Sequence, residues 1–271
     1  MKRIGFLFAT AIFFVACDVS TSSGESDTTL NDEASPKLDP IAIAKEESKV
    51  EPSVVLPTEF PILNDNNSVE FLREYGEEHP ENTILMETNY GNITLELFDD
   101  VPLHRANFLY LVNRGYYDPT EILRVIKGFM IQGGNSEEEL AASKRMIIGA
   151  YCLPEEMSLK HPHFRGALAM SRTYTGNPTK CSSAYDFYIV HGTKYKDVHL
   201  FQKEEEYGIK YSEGQKKRYK TTGGAIHLDM EHTVFGRVSK GFDVLDKIAA
   251  VEVDEGDWPK KQVTVKMSVL K

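Results

Sequence analysis

The sequence predicts a mainly β domain behind an acidic N-terminal segment. Three observations predict it. Residues 83–88 and 92–98 alternate apolar and polar side chains around Asn89-Tyr90-Gly91-Asn92, the pattern of a β-hairpin turning at a glycine. Residues 124–134, Arg-Val-Ile-Lys-Gly-Phe-Met-Ile-Gln-Gly-Gly, read as a strand broken at Gly128. Alternation places Arg124, Ile126, Met130 and Gln132 on or near one face of it, so that face carries a permanent cation, a thioether and an amide. Residues 263–270 alternate again and form the last strand.

Taken in order, residues 1–16 are the expected signal peptide. Lys2 and Arg3 precede an apolar run over 4–15 that is too short to span a bilayer as a mature helix. The run ends Phe14-Val15-Ala16-Cys17, which resembles the lipobox of bacterial lipoproteins and makes Cys17 the expected lipidation site. An ordinary secretory signal with a chance cysteine is the alternative. Residues 17–80 are expected to be an acidic flexible tether. Positions 18–80 hold 15 acidic and 4 basic residues, against 26 and 25 over 81–271. The net charge of −10 therefore sits in the tether, which buries too little to offset its chain entropy. One short helix is expected inside it over 68–75, with Val69, Phe71 and Leu72 inward. The near-neutral remainder has no basic patch, which argues against nucleic acid as a partner.

Residues 81–271 are enough for one domain with a real core. Residues 104–115 carry a helical stripe of Ala106, Phe108, Leu109, Tyr110 and Val112 that stops at Gly115. Glu137, Glu138 and Glu139 mark a solvated loop or helix. Residues 173–184 are rich in Gly, Pro, Thr and Ser and read as a loop. Residues 194–222 read as two short helices, the first stopping at Gly208 and the second opened by the capping-box spacing Ser212-Glu213-Gly214-Gln215. This excursion has 8 basic and 5 acidic residues. A solvated elaboration of the fold is the favoured reading, ahead of a client contact or a dock for the acidic segment.

Other chemistries find no support. The histidines, including His161 and His163, lie in no spacing that makes a metal site. No serine sits in a nucleophile elbow and no glycine-rich phosphate loop opens a helix. Neither metal nor cofactor is expected. In an oxidising compartment Cys152 and Cys181 could pair, tying the loop before Pro154 to the loop before Tyr185; two separate thiols are the alternative.

These motifs resemble the cyclophilins, a family of peptidyl-prolyl cis-trans isomerases. The family's F-H-R-x-I-x-x-F-M-x-Q-G-G appears over 122–134 with Leu123 in place of the histidine. Glu96-Leu97-Phe98, Pro102 and Ala106-Asn107-Phe108 match its opening. Residues 154–156, 166–172 and 185–190 match its middle, and His227-Leu228-Asp229 with His232-Thr233-Val234-Phe235-Gly236 matches W/F/H-L-D-x-x-H-x-V-F-G. The helix over 241–248 and the last strand follow in order. The resemblance implies a closed eight-stranded antiparallel β-barrel capped by two helices over 81–271, with 194–222 as a helical insertion.

By the same resemblance Arg124 is the catalytic residue. Phe129, Met130, Tyr188 and Leu228 form the proline pocket, with His232 at its edge, and Gln132 binds the substrate carbonyl and helps hold Arg124. Ser171, Arg172, Asp186 and Phe187 complete the substrate-binding positions, Arg172 through its backbone. Asp186 replaces a groove-lining glutamine and could pair with Arg124. His227 stands where cyclosporin-sensitive members have tryptophan, so weak cyclosporin binding is expected. The expected protein is a monomeric isomerase of proline-containing polypeptides in the cell envelope, held to a bacterial membrane by Cys17. The rival is a proline-recognising client-binding module without catalysis.

Overall fold

The computed structural model describes residues 60–136 and 139–270. The expected signal peptide, Cys17 and the part of the tether before residue 60 lie outside the described residues. Eight strands close into one antiparallel barrel: β1 Thr83–Thr88, β2 Gly91–Leu97, β3 Thr120–Ile126, β4 Met130–Gly133, β5 Ala167–Met170, β6 Phe187–Val190, β7 Val234–Lys240 and β8 Thr264–Val269. Around the barrel they run β6-β4-β3-β8-β1-β2-β7-β5, with β5 returning to β6. Closure pairs each barrel strand on both sides, so the barrel itself presents no open edge.

The first hairpin forms as expected, with a tighter turn. Gly91 already pairs with Thr88, and the Thr88 hydroxyl donates to the Gly91 carbonyl at 2.7 Å. Ile84, Met86, Ile93 and Leu95 then alternate into the barrel and are fully buried.

Residues 124–134 are a hairpin rather than one strand. Gly128 adopts φ +83° and turns the chain between β3 and β4, and the Phe129 N–H donates to the Ile126 carbonyl at 2.9 Å. Arg124 therefore faces Gln132 across the ladder, and Ile126 faces Met130. Their shared face arises from cross-strand register, not from alternation along a single strand.

Helix α2, Pro102–Asn113, was expected to show one apolar stripe. Instead every residue from Leu103 to Val112 is buried. The reason is a second layer outside it. Helix α1, Ser68–Glu78, packs across α2. The Phe60, Phe71 and Tyr75 rings meet Tyr110 at centroid distances of 5.5, 5.1 and 5.2 Å. Arg105 on α2 donates to the carbonyls of Gly76, His79 and Glu81, satisfying the end of α1. Leu63 pairs with Gly149 in a short parallel bridge. Residues 60–80 thus belong to the packed body, which moves the expected boundary at residue 80 back to at least Phe60. The acidic average of the segment concealed an apolar set of Phe60, Leu63, Leu72 and Tyr75, of which the last three are buried.

The other α-helices among the described residues are α3 Glu139–Ile148, α4 Asp197–Tyr207, α5 Glu213–Thr221 and α6 Phe242–Ile248. The insertion folds as its caps prescribe. Gly208 closes α4 at φ 61°, and the Ser212 hydroxyl accepts from the Gln215 N–H while the Gln215 side chain accepts from the Ser212 N–H. Its apolar residues Leu200, Tyr211 and Tyr219 form a small core with Phe164 and Ile226. The insertion is therefore packed, not a solvated excursion. Cys152 and Cys181 are joined by a disulfide across 29 residues, tying the start of the 152–153 strand to the end of the 173–181 loop. Among the described residues no helix is long and apolar enough to cross a membrane.

Candidate functional site

An open cavity of about 370 Å³ lies on the outer face of β4, β5 and β6. Its apolar wall is made by Phe129, Met130, Tyr188 and Leu228, and His232 stands at its side. The wall is part of a compact outer layer that also includes Ala169, Val190 and Val234. Arg124 and Gln132 border the cavity from the hairpin, and Ser171 and Arg172 border it where the chain leaves β5. Nine of the expected site residues thus converge, from four separate stretches of sequence.

Arg124 is the most exposed of them. Its Nε donates to the Asp257 carboxylate at 3.2 Å. Among the described residues its terminal guanidinium nitrogens have no hydrogen-bond partner. Asp257 is brought there because its carbonyl accepts from the Val125 N–H at 2.9 Å, seating the 254–259 loop against β3. The expectation that Gln132 helps hold Arg124 is corrected: the two face each other in register, yet the ion pair runs to Asp257.

Asp186 and Phe187 are corrected as well. Neither lines the cavity. Phe187 points into the barrel, edge-on to Phe108 and Tyr117, because its neighbour Tyr188 takes the outward face and successive strand residues alternate. Asp186 turns back to accept from the Ser183 hydroxyl at 2.8 Å. Burial raises its carboxyl pKa, against the opposing pull of Ser183 and Arg145. It does not pair with Arg124.

His232 is a wall, with its proton fixed. Burial is the main cause that lowers its pKa to about 4. Its Nδ1 faces the Met170 carbonyl at 3.1 Å and its Nε2 faces the Tyr174 hydroxyl at 2.8 Å. In the neutral ring the first contact is a donation and the second an acceptance. Burial also lowers the pKa of His227, which packs against Phe129 at 4.9 Å.

Arg172 is held side chain first. Its guanidinium donates to the Glu231 carbonyl at 2.7 Å and to the Glu231 carboxylate at 2.5 Å, and it lies over the Tyr174 ring at 4.3 Å. Lys180 takes the other Glu231 oxygen at 2.8 Å. The 173–184 loop is pinned by these bonds and by Cys152–Cys181. The backbone N–H and carbonyl of Arg172 take no partner among the described residues, so an extended peptide could pair there.

Sequence reasoning missed Asp257 and Tyr174 at the site, and His163 and Asp229 behind it, where His163 Nε2 meets the Tyr188 hydroxyl at 3.0 Å and Nδ1 meets Asp229 at 2.9 Å. Asp257 and Tyr174 lie in loops without a motif. Asp229 sits inside the quoted H-L-D motif, and that placement next to Leu228 was the available signal. Among the described residues no cluster of three or more His, Cys, Asp or Glu is arranged to hold a metal ion. The cavity can grip a small apolar ring, present a cation to it, and pair with an extended chain.

The family model described as cyclophilin type peptidyl-prolyl cis-trans isomerase/CLD matches residues 83–269. A Streptococcus pyogenes serotype M6 protein named as a bifunctional phosphatase/peptidyl-prolyl cis-trans isomerase is 35% identical over 192 residues, which are 70% of this chain and 38% of that one. A Rhizopus delemar protein named as peptidyl-prolyl cis-trans isomerase-like 2 is 34% identical over 66% of this chain and 27% of its own. A Staphylococcus haemolyticus protein named as a peptidyl-prolyl cis-trans isomerase is 31% identical over 67% of this chain and 87% of its own. The chain therefore spans well under half of the first two relatives and most of the third. The crystal structure of a Cryptosporidium parvum cyclophilin type peptidyl-prolyl cis-trans isomerase aligns with a TM-score of 0.51 at 22% identity, covering 70% of this chain and 98% of that one. The same parasite protein was also solved in the presence of the dipeptide Ala-Pro.

Proposed function

The chain belongs to the family of cyclophilin-type peptidyl-prolyl cis-trans isomerases, and on that premise we propose that its domain accelerates rotation about X-Pro bonds in exported polypeptides, with Arg124 stabilising the twisted amide. The X-Pro bond has a small trans preference, about 0.5–1 kcal/mol, but a rotation barrier of about 18–20 kcal/mol set by amide resonance. A catalyst has to hold the proline ring, grip the flanking chain, and favour the twisted state. In that state the nitrogen is pyramidal and its lone pair is free. A cation that donates hydrogen bonds to the lone pair binds the twisted amide better than the planar one, and that difference is catalysis.

The observation that carries this reading is the Arg124 guanidinium beside the apolar wall of Phe129, Met130, Tyr188 and Leu228. Asp257 holds it by Nε, and among the described residues its terminal N–H groups take no hydrogen-bond partner. Arginine stays ionised across all working pH values and keeps its donors in a fixed plane. The proline ring enters the wall, Gln132 takes the substrate carbonyl, and the Arg172 backbone pairs with the chain. His232, neutral and committed to Met170 and Tyr174, serves as packing. No proton is transferred. The Ala-Pro dipeptide studied with the parasite relative is in keeping with this substrate class.

The test is cis-trans exchange in a short X-Pro peptide, followed by NMR line shape with the full chain and with Arg124→Ala. The wild type is expected to accelerate exchange, and Arg124→Ala to lose roughly a hundredfold in kcat/KM while still binding peptide. Binding without acceleration in the wild type would leave only the client-binding reading. The same proposal places the protein in the cell envelope, anchored to a membrane through lipid on Cys17. Cys17→Ala is expected to abolish labelling by radioactive palmitate and to release the chain from the membrane fraction; retention of both label and membrane binding would refute the anchor.

A further inference from the structure

Behind the proline pocket, away from its mouth, runs a buried polar chain that the isomerase chemistry does not use. Tyr188 is on the pocket wall, and its hydroxyl points backwards to His163 Nε2 at 3.0 Å. The two rings lie nearly parallel, 12° apart. The His163 backbone N–H donates to Asp229 Oδ1 at 2.7 Å, and the ring Nδ1 meets the same oxygen at 2.9 Å. The other carboxylate oxygen accepts the Tyr211 hydroxyl at 2.6 Å and the Tyr219 hydroxyl at 2.5 Å. All five side chains are buried; none is more than 4% exposed.

Each link has a physical reason. A buried carboxylate needs several donors, and Asp229 has four, two from the His163 segment and two from the insertion. Burial opposes its ionisation, yet the bonds from His163 and Tyr211 win, and its pKa is lowered. An ionised Asp229 selects the His163 tautomer that donates Nδ1–H, which leaves Nε2 to accept from Tyr188. Tyr188 needs such an acceptor because a buried hydroxyl without a partner is destabilising. A second strut comes from α4, where Lys203 donates to the carbonyl of His227, a cavity residue.

We propose that the helical insertion is a positioning element for the proline pocket: Tyr211 and Tyr219 fix Asp229, Asp229 fixes His163, and His163 fixes the ring plane of Tyr188. The inference rests on the pocket reading above and extends it to residues 197–221. His163, Asp229, Tyr211 and Tyr219 touch no substrate; they act through Tyr188. The edge of His232 against Tyr188, 5.6 Å away at 85°, holds the ring from the other side.

A double-mutant cycle on peptide affinity tests it, using the full chain, an X-Pro tetrapeptide and NMR titration. Tyr211→Phe with Tyr219→Phe keeps both rings and removes both hydroxyls. The pair is expected to weaken Kd roughly fivefold with kcat nearly unchanged. In a Tyr188→Phe background, where the relay has no end point, the same pair is expected to have little further effect. Equal losses in both backgrounds, or an unchanged Kd, would overturn the relay. Should the pair fail to fold, the wild type alone decides. On saturation with peptide the His163 ring nitrogens and the Tyr211 and Tyr219 ring signals must shift; if they stay still while Tyr188 moves, the proposal is wrong. Because the readout is affinity, loss of the isomerase reading through Arg124→Ala would be seen separately, in turnover.

Discussion

Two segments outside the barrel attach to the packed body with different weights of apolar contact and hydrogen bonding. Residues 60–80 dock on α2 through rings and aliphatic side chains: Phe60, Phe71, Tyr75 and Leu72 around Tyr110. The insertion joins the barrel through a small aromatic core and, deeper, through hydrogen bonds to one buried carboxylate. Apolar contact is strong in sum and weakly directional. Buried hydrogen bonds add little net stability but fix angles, since a misplaced partner leaves a polar group unsatisfied. The N-terminal segment is accordingly a stabiliser set over the capping helix, and the insertion is an aligner set behind the pocket.

The largest expected effect falls on the apolar side. Leu72→Ala should cost about 3 kcal/mol in urea unfolding, because Leu72 is fully buried. Peptide turnover per folded molecule should not change; a changed kcat would break the division of labour. The next effect sharpens the contrast by pH. The folded-state pKa of His232 is lowered from 6.5 to about 4. Between those values the unfolded chain binds a proton that the folded one refuses, so stability rises with pH in this window and is lost on acidification. The loss should reach on the order of 3 kcal/mol near pH 4. Asp229, whose pKa is also lowered, continues the loss below the ordinary carboxylate value. Leu72→Ala should shift that stability curve down without changing its slope, and a changed slope would couple the two sides. The smallest effect on stability, about 1 kcal/mol per hydroxyl, is expected from Tyr211→Phe and Tyr219→Phe; their signature is the affinity cycle.

The site was legible where chemistry is local in the chain. Arg124, Phe129, Met130 and Gln132 lie within one hairpin, and Leu228 and His232 within one short motif, so family resemblance carried each to its place. Legibility failed in three ways. Asp186 was placed in the groove because it stands where the family has a groove-lining glutamine, and Phe187 beside it, although strand alternation sends Phe187 inward and Asp186 turns to Ser183. Asp257 was invisible because it lies 133 residues from its partner Arg124, in a loop without a motif that is seated by a backbone bond to Val125. The 60–80 segment was misread because net charge averages over a helix, while packing depends on one face of it.

What the sequence by itself determined is whatever depends on neighbours in the chain. The first hairpin turn follows from Gly91, the end of α4 from Gly208, the start of α5 from Ser212 and Gln215, and the inward face of the early strands from alternation. Each of these is set by dihedral preference or by hydrogen bonds spanning a few residues. Tertiary structure alone decided the rest: that Arg124 leans on Asp257, that α2 is buried on every side, and that the insertion reaches Tyr188 through Asp229 and His163. Those outcomes join groups far apart in the chain, and their energies exist only once the barrel has closed and water has been excluded from the space between them.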